Sequence, residues 1–134
     1  MPKLKVFLVA CVLAAAAVLP AAAAELGTQK NTDRGVTVEA TPQNPSNDGK
    51  SWNFKIVFDT HSQELSDDVL KSAILLDGTG GRYVPVAWEG AGPGGHHREG
   101  VLRFHTLPSS PKAIELQIRR PGESAPRSFR WQLN

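Results

Sequence analysis

Cysteine and methionine are nearly missing from this 134-residue chain; each occurs once, as Cys11 and Met1. With one thiol there is no internal disulfide and no Cys-ligated zinc site. Cys11 also falls inside an apolar N-terminal run that reads as removable. The mature chain would then lack thiol catalysis, c-type haem attachment and blue-copper ligation. Without a further methionine there is no thioether copper(I) site. Other absences narrow the class. The 12 glycines are scattered, which excludes a collagen-like repeat. No segment reads as a helix long enough to cover a sheet. A basic excess is lacking too: without Lys3 and Lys5, 13 basic residues face 13 acidic ones. A neutral balance argues against non-specific binding to nucleic acid or to an acidic membrane surface.

What is present begins with an export signal. Lys3 and Lys5 form a positive n-region, Val6 to Leu19 is unbroken apolar sequence, and Pro20 with Ala21 to Ala24 supplies a small-residue cleavage site before Glu25. A membrane anchor would need about 20 apolar residues and would have to run through Pro20. Leu8-Val9-Ala10-Cys11 matches a lipobox, but a lipobox closes the apolar region, and here eight apolar residues follow it. The expectation is a signal peptide over 1–24, a polar tether over 25–34, and one domain over 35–134 in the periplasm or outside the cell.

In that domain apolar residues recur with period two, the mark of half-buried strands. Val36, Val38 and Ala40 alternate with polar neighbours, and Trp52, Phe54, Ile56 and Phe58 form the clearest strand. Ser66 reads as the cap of a single helical turn. Further strands are expected over 73–76, 82–88, 101–106, 113–119 and 128–133. In the fourth, Val84, Val86 and Trp88 share a face opposite Pro85, which suits an edge strand. Seven strands with close turn signals predict an all-β, antiparallel, immunoglobulin-like β-sandwich, with a small β-barrel as the alternative. Trp52, Phe54, Ile56, Phe58, Trp88, Phe104, Ile114, Leu116, Phe129 and Trp131 are the expected core.

Polar chemistry gathers in two segments, Asp59-Thr60-His61-Ser62 and Gly94-Gly95-His96-His97-Arg98-Glu99. If consecutive strands run antiparallel, alternate connections share a pole. The loops holding His61, His96 and His97, and the turn holding Arg120 and Glu123, then meet. The segments Phe58-Asp59-Thr60-His61-Ser62, Trp88-Glu89-Gly90 and Gly94-Gly95-His96-His97-Arg98 resemble those of uncharacterised exported bacterial proteins, over most of the mature chain. That resemblance implies no catalytic or binding role.

Two readings of these residues stand beside each other. Neutral imidazoles of His61, His96 and His97, with Asp59 or Glu99, suit zinc or copper(II). Alternatively the same groups pin loops by satisfying leftover backbone groups, with Gly94 and Gly95 supplying positive φ and Arg98 pairing with Glu89, Glu99 or Glu123. A hydrolase triad of Asp59, His61 and Ser62 is disfavoured, because consecutive extended residues do not turn toward one atom. His105 is expected on a solvent face. Together these features predict a non-enzymatic binding or accessory module with an unknown protein partner, or a metal-binding protein, and no catalytic residues.

Overall fold

The computed structural model describes residues 26–43, 51–108 and 110–133. The signal segment 1–24 and residues 44–50 of the turn-rich stretch lie outside the described residues. In chain order the elements are β1 (Gln29–Asp33), β2 (Val36–Gln43), β3 (Ser51–Thr60), α1 (Val69–Ser72), β4 (Ala73–Leu76), β5 (Arg82–Tyr83), β6 (Ala87–Gly90), β7 (His97–His105), β8 (Ala113–Ile118) and β9 (Arg127–Gln132). They make two antiparallel sheets, β1-β2-β3-β7-β6 and β5-β4-β8-β9, and do not close into a barrel. No helix among the described residues is long and apolar enough to cross a membrane.

Among the described residues nine strands replace the expected seven, for two physical reasons. First, the presumed tether contributes β1. It carries no apolar face, so period two is silent there, and the strand is held instead by hydrogen bonds. The Gln29 amide bonds both the N–H and the carbonyl of Arg130 on β9, and Trp131 Nε1 donates to the Gly27 carbonyl at 2.7 Å. Arg34 and Gly35, both at positive φ, close a two-residue hairpin into β2. Second, the run over 82–88 is two strands in different sheets. The chain crosses between them at Val84-Pro85-Val86, and this reverses the expected faces. Pro85 is buried, whereas Val84 and Val86 are 70% and 42% exposed. Both β5 and β6 are edge strands, as the proline suggested.

All ten expected core residues lie in one cluster or pack against it, Trp88 being only partly buried. Phe54 sits at its centre, edge-on to Phe104 at 5.7 Å between centroids and tilted against Trp131 at 5.5 Å. With no disulfide available, this burial carries stability.

Toward one pole the inward-facing positions change character while the alternation continues. Beyond Phe58 the next inward residue of β3 is Thr60. Inward residues at the same end of β7, just past β8, and at the start of β9 are Arg98, Arg120 and Arg127, all buried. The apolar core thus ends in a layer of guanidinium groups.

Candidate functional site

The expected shared pole is present. Thr60 N donates to the His96 carbonyl at 2.9 Å, Leu65 N to the Gly95 carbonyl at 3.0 Å, and Gly94 N to the Leu65 carbonyl at 2.8 Å. Gly94 and Gly95 have φ of 120° and 75°, so the loop folds back onto the segment after β3 through a conformation that favours glycine. The β8–β9 turn joins them. Arg34 donates to the Gly122 carbonyl at 2.8 Å, and Arg120 reaches Asp67 through two bonds of 2.8 and 3.1 Å.

Most polar groups here are committed to one another. Arg127 forks onto Glu123, with Nη2 to Oε2 at 2.7 Å, and also donates to the carbonyls of Val36 at 2.6 Å and Asp33 at 3.0 Å. One side chain thereby ties β9 to the β1–β2 hairpin. Burial pushes the Glu123 carboxyl up, but the Arg127 bond, the Arg120 N–H and both positive charges outweigh it and hold the group below its usual range. Arg98 does not pair with Glu89, Glu99 or Glu123. It faces inward under the Trp88 ring, 5.6 Å from guanidinium carbon to centroid, and donates to the carbonyls of Ala91 and Asp67 at 3.0 and 2.6 Å. Glu89 pairs with Arg103 instead. The helical turn is capped by Asp68, whose Oδ1 accepts from Leu70 N at 3.1 Å, rather than by Ser66.

The candidate ligands separate. Asp59 and His97 face each other across β3 and β7, with His97 Nδ1 2.5 Å from Asp59 Oδ1. Its Nε2 lies 3.3 Å from Glu99 Oε2. Both ring nitrogens therefore address carboxylates, one on each side of the ring. His61 and His96 are exposed, and neither ring is bonded among the described residues. No group of three or more His, Asp or Glu side chains there is arranged to hold an ion. Nor do Asp59, His61 and Ser62 assemble, because Asp59 turns to His97. His105 is exposed as expected.

The two carboxylates favour imidazolium. The Asp59 bond and charge, and to a smaller extent those of Glu99, raise the His97 pKa above 6.5. Metal coordination demands the opposite, a neutral ring with a free lone pair. The linkage sign follows: the stabilisation by charged His97 is complete below its unfolded value near 6.5 and disappears as pH rises through the raised folded value. In a ring-proton NMR titration, His97 should titrate above the ordinary imidazole value near 6.5, and Asp59→Asn should bring it down. A wild-type midpoint that Asp59→Asn leaves unchanged would show that the carboxylate does not act on the ring.

The fold and its pole define a class: an all-β, two-sheet, sandwich-like protein with an internally paired polar cap. Comparison with protein-family models, with curated proteins and with solved structures gave no match.

Proposed function

We propose that the chain is an exported, immunoglobulin-like β-sandwich that works as a non-enzymatic binding or accessory module in the periplasm. The observation that carries this reading is the internal pairing of the polar pole. Asp67 with Arg120 and Glu123 with Arg127 hold loops in place and His97 with Asp59 joins β3 to β7, which leaves recognition to surfaces set by a rigid frame. The signal-peptide anatomy of residues 1–24 supports export.

The test has two arms. Intact mass of protein from the periplasmic fraction should correspond to a chain beginning near Glu25. A mass retaining residues 1–24, or a lipid on Cys11, would overturn the soluble periplasmic reading. Small molecules extracted from the same compartment should raise the melting temperature equally in wild type and in His97→Gln. A rise abolished by that variant would return the function to the polar pole.

A second reading, zinc or copper(II) at His61, His96 and His97 with Asp59, is favoured by the meeting of the two loops at one pole. It requires His97 to leave both carboxylates. Calorimetry with each metal on wild type, His61→Ala and His97→Ala decides it: micromolar binding lost in both variants supports it, and no binding rejects it.

A further inference from the structure

At the opposite pole, the outer face of the four-stranded sheet carries a groove of about 480 Å³. Its volume lies within the range of small-molecule sites. A cross-strand row runs along it, Arg82 opposite Leu76, Leu76 opposite Glu115 and Glu115 opposite Arg130. Leu76 and Ala113 are half-buried apolar groups at its wall, and Gly78, Gly80 and Gly81 form its lip.

The lip is built rather than loose. Asp77 is buried and its Oδ1 accepts from Thr79 N, Thr79 Oγ1 and Gly81 N, each at 2.9 Å, while Tyr83 Oη donates to Oδ2 at 3.0 Å. A Cβ on Gly81 would stand 2.2 Å from Asp77 Oδ2, so only glycine fits there. The charges are equally defined. Glu115 accepts from Ser128 and Arg130 at 2.5 Å each and from Gln117 at 2.9 Å, which gives both oxygens a partner and engages Arg130 through Nε. The Arg82 side chain has no hydrogen bond or ion pair among the described residues. Two cations thus face one carboxylate, and the unpaired guanidinium stands at the mouth of an apolar wall.

We propose that this groove binds an apolar group ending in a carboxylate: the carboxylate is held by the Arg82 fork, and the chain lies along Leu76 and Ala113 beneath the glycine lip. Guanidinium matches a carboxylate in both charge and two-point geometry. The inference rests on the reading of the chain as a binding module and names the ligand chemistry.

The test uses the mature chain and amide NMR with three probes: decanoate, a short peptide ending in leucine, and decylamine. Saturable shifts at Gly78, Gly80, Gly81 and Ala113 with decanoate or the peptide support the proposal, and which of the two binds tells a free acyl chain from a chain terminus. Arg82→Gln, on an exposed two-residue edge strand that should tolerate it, should weaken that binding about tenfold or more. Equal binding of decylamine, no effect of Arg82→Gln, or no shift in the groove with either carboxylate overturns it. A ligand from periplasmic extract that shifts only residues elsewhere overturns the groove and leaves the module reading standing.

Discussion

Replacing Arg127 with methionine is expected to cost about 3–5 kcal/mol of folding stability, measured by urea denaturation. The size follows from burial. The side chains of Arg127 and Glu123 are 2% and 4% exposed, so removing the cation strands a carboxylate away from water. It also removes the Arg127 bonds to the carbonyls of Asp33 and Val36. The double variant Arg127→Met with Glu123→Leu should recover the charge contribution but not the whole loss, because those two bonds stay lost. Arg130→Met is the control. Its side chain is 78% exposed and its pair with Glu115 should contribute no more than about 1 kcal/mol. Equal losses at Arg127 and Arg130 would mean that the arginine layer is solvated.

Acid should act on Glu123 and on Asp77, both buried carboxylates. Hydrogen bonds from Thr79 hold Asp77 below its usual range, and Glu123 lies low for the reasons given above. Carboxylates with lowered folded values stabilise the protein above their unfolded values near 4, and lose that contribution as pH falls through the folded ones. Stability should therefore fall below about pH 4.

Phe54→Ala is expected to cost about 3–5 kcal/mol. The ring has no exposed surface and meets Phe104 and Trp131, one from each sheet. Truncation opens a cavity where the two sheets share their packing, and backbone ladders on either side limit collapse. A loss under about 1 kcal/mol would mean that the sheets do not share a core at this position.

Period two along Trp52 to Phe58 was enough to read the core, because strand geometry alone puts alternate side chains on one face. Antiparallel parity was enough to bring the segment of His61 beside the His96-His97 loop. The failures have different causes: at β1 hydrogen bonds rather than apolar burial decide the structure, and over 84–86 the chain crosses between sheets with the proline inward. Gln29 fastens β1 without contributing an apolar stripe. Val84-Pro85-Val86 looks like continued alternation, yet the chain changes sheets there. The arginine layer did leave a trace. Arg127 stands two before Phe129, Arg120 two after Ile118 and Arg98 four before Leu102, each in phase with buried residues. Reading a charged residue in phase as inward, rather than as the start of a loop, would have found all three. The pairing of His97 with Asp59 and Glu99 needed the register of β3 against β7, which composition does not carry.

The chemical fate of a bound ligand tests the account most directly. Mature protein would be incubated with small molecules from the periplasm, separated from unbound material, and its ligand weighed by mass spectrometry against the starting pool. A binding module returns the ligand at unchanged mass and in proportion to protein. A product of altered mass that accumulates beyond one equivalent, and that Asp59→Asn or His97→Gln suppresses, would contradict it.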